Sequence, residues 1–179
     1  LPHAAASERA FILEKKDSKH RFAAYHRTGR QPKSIAFLDN ERMIVPLLED
    51  DGIDVIHVTK GFLKRLAPPK QDAKLHAFVE PLVIAASKEI WISQMSTNKV
   101  HIFSADTLEF KESISLPGRW TKVLTLDPGR GVVYASNWAS QSISVIDVAT
   151  RTVTGQLPTG GVPRGMLVTP DGKYMYAAQ

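Results

Sequence analysis

Short runs of apolar, largely β-branched residues recur along the chain at a near-constant interval, separated by polar turns. Met43-Ile44-Val45, Ile90-Trp91-Ile92, Val133-Tyr134-Ala135 and Met175-Tyr176-Ala177 follow one another in steps of 47, 43 and 42 residues. Ten residues after the start of each of the first three, a second run begins: Ile53-Asp54-Val55-Ile56, Val100-His101-Ile102-Phe103 and Ile143-Ser144-Val145-Ile146. These segments predict strands, because β-branched side chains suit a pleated surface and lose rotamer freedom in a helix. Thr152–Leu157 predicts another. Asp39-Asn40, Asp127-Pro128-Gly129 and Pro170-Asp171-Gly172 supply the turns before three of the first runs, since Asp, Asn and Gly tolerate the positive φ of tight hairpins. No amphipathic helix is predicted, and the proline-bearing stretch Ala67–Asp72 reads as a loop insertion that lengthens the first step.

Four short antiparallel strands repeating every 42–47 residues make one blade of a β-propeller. The predicted fold class is therefore all-β, a β-propeller built of four-stranded antiparallel blades. Each blade buries both faces against its neighbours, which accounts for strands that are apolar on both sides. The expected organisation is a tail over residues 1–9, then the outer strands of a preceding or closing blade over 10–32. Whole blades follow over 33–78, 79–120 and 121–162, and the first two strands of a further blade over 163–179.

The segment Leu126-Asp127-Pro128-Gly129-Arg130-Gly131-Val132-Val133-Tyr134-Ala135-Ser136-Asn137, with Ile143–Asp147 and Thr159–Gly165, closely resembles the YVTN-type propeller repeat. In that repeat a Pro-Asp-Gly turn leads to a Tyr-x-x-Asn strand, a Ser-Val-Ile-Asp strand and a Gly-x-x-Pro-Arg-Gly lead-in to the next blade. Tyr134–Asn137 matches the naming motif and Tyr176–Gln179 matches it imperfectly. The resemblance is strong over 116–179 and weaker over 30–115, where Ala86-Ser87-Lys88-Glu89 replaces the Pro-Asp-Gly turn. Such propellers have about seven blades, roughly 300 residues at this period, so the resemblance implies that the chain is an incomplete part of a seven-bladed ring. The alternative is a small four-bladed ring closed by pairing of the two half blades.

Composition is that of an ordinary folded chain, 43% apolar and 23% charged over 179 residues. There is no cysteine, which excludes disulfides, thiolate metal sites and cysteine nucleophiles. The charge is +5 in total, and residues 1–33 carry it, with eight basic and three acidic side chains. That basic lead segment lacks any helix-turn-helix, zinc-finger or aromatic RNA-binding signature, so nucleic acid is not expected as a partner. No run of about 18 apolar residues predicts a membrane span. Ala4-Ala5-Ala6-Ser7 has the small-residue character of a signal-peptidase site. Together with the resemblance, it carries the expectation of a periplasmic or extracellular, cell-surface location.

In a propeller the loops leading into the inner strands crowd one mouth, where side chains from several blades converge. Here those loops place Lys33, Glu80, Lys122 and Arg164 at comparable positions, three cations and one anion suited to a carboxylate or phosphate. Arg119 and Trp120 in one lead-in loop, and Trp138 after a second strand, belong to the same mouth and suit recognition of a protein or glycan. Trp91, inside a strand, belongs to the core. Glu49, Asp50, Asp51 and Asp54 concentrate carboxylates that calcium could use, although Asp51-Gly52 equally forms a two-residue hairpin turn. The six histidines show no metal-ligand spacing, and no nucleophile elbow, carboxylate pair or phosphate loop is present. The reading is a non-catalytic, extracytoplasmic propeller without cofactor. It binds another protein or a cell-envelope component, or acts as a scaffold assembling with further blades or copies. The resemblance also implies an alternative, a lactonase-like hydrolase or a subunit of a periplasmic redox enzyme whose site includes other blades.

Overall fold

The computed structural model describes the backbone of residues 9–16 and 19–179, and side chains from residue 25 onward. Three four-stranded antiparallel sheets follow one another along the chain. The first contains β3 (Ala36–Phe37), β4 (Arg42–Pro46), β5 (Ile53–His57) and β6 (Gly61–Leu66), in that order. The second contains β7 (Phe78–Ile84), β8 (Glu89–Gln94), β9 (Lys99–Ser104) and β10 (Phe110–Ser115). The third contains β11 (Thr121–Asp127), β12 (Val132–Asn137), β13 (Ser142–Asp147) and β14 (Thr152–Pro158). Two-stranded sheets flank them: β1 (Arg9–Lys16) with β2 (Lys19–Arg27), and β15 (Met166–Val168) with β16 (Met175–Ala177). The two small sheets do not pair with each other, so the closed four-bladed ring is not formed.

The alternation of side chains along a strand explains why both faces are apolar. On β8, Ile90 and Ile92 pack with Ile44, Ile53, Val55 and Leu66 of the first sheet. Trp91, between them in sequence, points the other way and joins Leu124, Val133, Ala135 and Ile146 of the third sheet. All three β8 residues are fully buried, and each such side chain contributes about 1.5–3 kcal/mol. The sheets thus stack face to face, as blades do. The inner strand β7 contacts β11, and β11 contacts β15, so these strands share one side of the stack.

The repeat extends to polar positions. His57, Ser104 and Asp147 end their blades' third strands at the same register. Each accepts a hydrogen bond from a backbone N–H in the turn that follows, from Thr59, Thr107 and Thr150 respectively. Three different acceptors therefore cap the same turn, which is why no histidine spacing emerges from the sequence.

Several loops differ from expectation. Asp51-Gly52 does not form a two-residue turn, because pairing of Pro46 with Ile53 leaves the six-residue loop Leu47–Gly52. The Ala67–Asp72 insertion carries a short helical turn, α1 (Lys70–Ala73), whose Asp72 carboxylate takes Lys99 Nζ at 2.8 Å. Where the second blade lacks Pro-Asp-Gly, a 3-10 turn at Ala85–Ser87 leads into Lys88 with φ +52. Gly131 occupies the corresponding place in the third blade with φ +66, so a side-chain-bearing residue takes a conformation that favours glycine.

Candidate functional site

Register determines which residues meet at the mouth. Pairing of Phe78 with Gln94 and of Thr121 with Asn137 makes Phe78 and Thr121 equivalent. Pro32 holds the same place through its bridge to Leu47. The next position is therefore Lys33 in the first blade, Val79 in the second and Lys122 in the third. Arg164 follows in the last sheet, its N–H donating to Ala178 O at 2.7 Å as Lys33 N donates to Pro46 O at 3.0 Å. Glu80 lies one residue further along than expected, within a β-bulge between Phe78 and Pro81. Ser93 Oγ accepts the Glu80 N–H at 3.0 Å, and Ser136 Oγ does the same for Val123. The bulge is thus a repeated device that re-aims side chains at the strand's start.

The expected cations do converge. Lys122 Nζ lies 3.7 Å from the centroid of the Trp138 ring, and the Arg164 guanidinium carbon lies 4.9 Å from the same ring. Burial pushes the Lys122 ammonium below its ordinary range, and repulsion from Lys33 and Arg164 adds to the shift. Burial likewise raises the Glu80 carboxyl, while Lys33 opposes that rise. Lys33 therefore lies within electrostatic reach of both groups. Among the described residues, none of Lys33, Lys122 and Arg164 forms an ion pair with a carboxylate. Trp138 is half-buried, and its Nε1 is buried without an acceptor.

Arg119 and Trp120 flank this cluster without a recorded ring or ionic contact to it. Trp120 is 55% exposed, and its φ of +59° lies in the left-handed region. Four hydrogen bonds fix the loop, one of them from Ala139 N to Arg119 O at 3.1 Å. Trp120 N donates to Asn98 Oδ1 at 2.8 Å, Trp120 O accepts from Trp138 N at 3.1 Å, and Arg119 N donates to Ser140 Oγ at 2.9 Å. Gln31 and Ala77, at the equivalent place in the earlier blades, also have positive φ. The conformation therefore belongs to the lead-in bend, and in the third blade that bend presents an indole to solvent.

The carboxylates considered for calcium face guanidinium groups instead. Asp54, fully buried, takes Arg65 Nε at 2.8 Å and the Gly29 N–H at 2.7 Å. Asp50 takes Arg30 Nε at 3.1 Å, and Arg65 also lies 3.3 Å from it and 3.8 Å from Asp51. Glu49 accepts from Gln31 Nε2. Among the described residues no three His, Asp or Glu side chains converge to hold a metal.

Two buried polar clusters escaped the sequence reading. Glu89, 1% exposed, receives Arg151 Nη2 at 2.5 Å, Trp91 Nε1 at 3.0 Å and Ser87 Oγ at 3.3 Å, together with Lys111 Nζ. It borders a cleft of about 490 Å³ at the end of the blades away from the mouth. His101, also buried, bonds Gln94 Oε1 at 2.7 Å and Ser113 Oγ at 2.8 Å. Only their odd placement, a Glu and a His inside apolar strands, signals them in the sequence.

Comparison with known proteins adds relatives to this geometry. The family profile described as YNCE-like beta-propeller matches residues 17–172. Antigen Lp49 of Leptospira interrogans is 44% identical over 173 residues, which is 97% of this chain and 38% of that protein. A PE-PGRS family protein of Mycobacterium tuberculosis is 43% identical over 47 residues, 26% of this chain and 10% of that one. A functionally unknown protein from Desulfotomaculum acetoxidans superposes with a TM-score of 0.78 at 15% identity, over 96% of this chain and 56% of its own. Kuenenia stuttgartiensis hydrazine synthase superposes with a TM-score of 0.76 at 18% identity, over 87% and 45%. At such identities the two structures share the fold alone. The chain spans less than two fifths of the antigen and about half of each solved structure.

Proposed function

Because the chain belongs to the YNCE-like beta-propeller family, we propose that it is a non-catalytic recognition module outside the cytoplasm, engaging a partner protein through the propeller mouth. The observation that carries this reading is the placement of Lys122 and Arg164 over one indole, Trp138. Tryptophan and arginine, both present here, are among the residues enriched at protein-binding hot spots. The relative named as an antigen supports a surface or extracellular setting. Short loops tied down by hydrogen bonds hold the mouth, as at Trp120 and Arg119, which limits the ordering cost on binding.

The test is site-specific photo-cross-linking in the native host. A benzophenone side chain at position 120 should yield a discrete adduct with another protein. The same group at position 171, in the Thr169–Gly172 turn at the opposite end, should not. Equal labelling from both positions, or none from 120, would remove the mouth as the recognition surface.

A further inference from the structure

We propose that the mouth selects carboxylates, so that its ligand is an acidic segment of the partner protein. This rests on the reading of the mouth as the recognition surface, and names the chemistry that surface takes.

Donor and acceptor counting carries it. Lys33, Lys122, Arg164 and the Trp138 N–H can only donate. The carboxylate nearby is Glu80, which interacts with Lys33, while Lys33 and Arg164 both repel Lys122. Elsewhere in the molecule many basic side chains find partners, whereas exposed ones such as Lys60 and Lys64 point to solvent. Arg30, Arg65, Lys99, Lys111, Arg130 and Arg151 each pair with an Asp or Glu. The mouth trio does not, and the three occupy register-equivalent positions of the first, third and last sheets, with Lys122 and Arg164 converging around Trp138. Three like charges against a single carboxyl leave net repulsion, as between Lys122 and its neighbours Lys33 and Arg164, and an incoming anion relieves it. Stacking on Trp138 fixes the Lys122 head group beforehand, so less rotamer entropy is lost on binding.

An acidic peptide fits better than a nucleic acid strand. Tracking a phosphate backbone takes a stripe of cations with aromatic platforms for successive bases. Here the blade between Lys33 and Lys122 contributes Val79 and the anion Glu80, which interrupts any such stripe. Side-chain carboxylates spaced along an extended segment can reach Lys33 on one side and Lys122 with Arg164 on the other, passing Glu80. Glu80 then acts as the site's own competitor. Its carboxyl repels the ligand while it is ionised, and burial raises its tendency to take up a proton.

The test is calorimetric titration of the full chain at low salt with a peptide of about ten glutamates. A polyglutamine of equal length and a single-stranded oligonucleotide of equal charge serve as comparisons. The glutamate peptide should bind and weaken steeply with salt, polyglutamine should not bind, and the oligonucleotide should bind more weakly. Lys122→Ala combined with Arg164→Ala should reduce affinity at least about tenfold, whereas Glu80→Gln should raise it several-fold. The two changes act in opposite directions, so loss of fold cannot mimic both. Should the double variant not fold, unchanged affinity of Glu80→Gln alone would overturn the proposal. Tighter binding of the oligonucleotide would overturn it, as would absence of peptide binding. A position-120 adduct obtained despite either outcome would leave the mouth standing as a recognition surface for other chemistry.

Discussion

Arg151 joins two blades by reaching Glu89, 62 positions earlier in the chain, with Nη2 2.5 Å from Oε1. Its other terminal nitrogen takes Glu112 at 2.6 Å, and the residue adopts a left-handed φ of +55° at the turn before β14. One guanidinium thus spans the seam between the second and third sheets, next to the apolar contact of Trp91 with the third sheet.

Removing the Glu89 charge should open that seam. Glu89→Gln keeps the shape and leaves Lys111 and Arg151 without their buried anion. Loss of one partner of a buried pair costs about 3–5 kcal/mol, and partial exposure of both cations reduces this to about 2–3 kcal/mol. Urea unfolding followed by far-ultraviolet circular dichroism reads the loss directly. A midpoint unchanged from wild type would show that the seam is held by apolar packing alone.

The same group makes stability acid-sensitive. Burial pushes the Glu89 carboxyl up, but hydrogen bonds from Lys111, Trp91 and Arg151 outweigh burial and hold it below its ordinary value of 4.5. A carboxyl depressed on folding contributes stability that is present above the unfolded value and lost as pH falls through the folded one. Wild type should therefore lose stability below about pH 4.5 more steeply than Glu89→Gln, as measured by urea midpoints between pH 5 and 3.

His101 acts in a higher window. Burial, with repulsion from Lys99 and against attraction from Asp72, pushes its imidazole down to about 4 from 6.5. Gln94 directs both amide hydrogens to the carbonyls of Asp72 and His76, so its Oε1 accepts from Nε2 of the neutral ring. Below pH 6.5 the unfolded chain binds a proton that the folded chain refuses, so stability falls as pH drops from 6.5 to about 4 and then levels for this group. At 1.36 kcal/mol per unit the loss is at most about 3 kcal/mol. His101→Gln should flatten the slope between pH 7 and 4.5, and an unaltered slope would contradict it.

Lys122 and Trp138 should couple measurably. A double-mutant cycle of Lys122→Met with Trp138→Leu should give about 0.5–1 kcal/mol of interaction, the range of a half-buried cation–π pair. Relief of repulsion from Lys33 and Arg164 offsets part of the loss in the lysine single variant, so the single effect should be smaller than the coupling.

Two glycine exchanges in the same lead-in loop should have opposite signs. Trp120→Gly removes left-handed strain from an exposed residue and should stabilise the fold by about 0.5 kcal/mol while weakening partner binding. Gly118→Ala should destabilise by about 2 kcal/mol or more. The added Cβ would fall within van der Waals distance of the buried Asn137 side chain, which bonds Thr121 and Ser144 at 2.9 Å. Guanidinium midpoints for the two variants on either side of wild type are the expected result.

The sequence by itself determined the strands, their recurrence and the register-equivalent cations Lys33, Lys122 and Arg164, because side-chain alternation and β-branched content are local properties that a repeat copies from blade to blade. Only the tertiary structure decided that a bulge puts Val79 at the cation position and displaces Glu80 by one residue. It alone turned the Asp50 and Asp54 carboxylates toward Arg30 and Arg65. It also assigned Arg151 to Glu89 across a seam and laid two cations over Trp138. Those choices depend on which side chains neighbouring sheets bring within about 4 Å, where charge and burial act, and no pattern along a single strand encodes that distance.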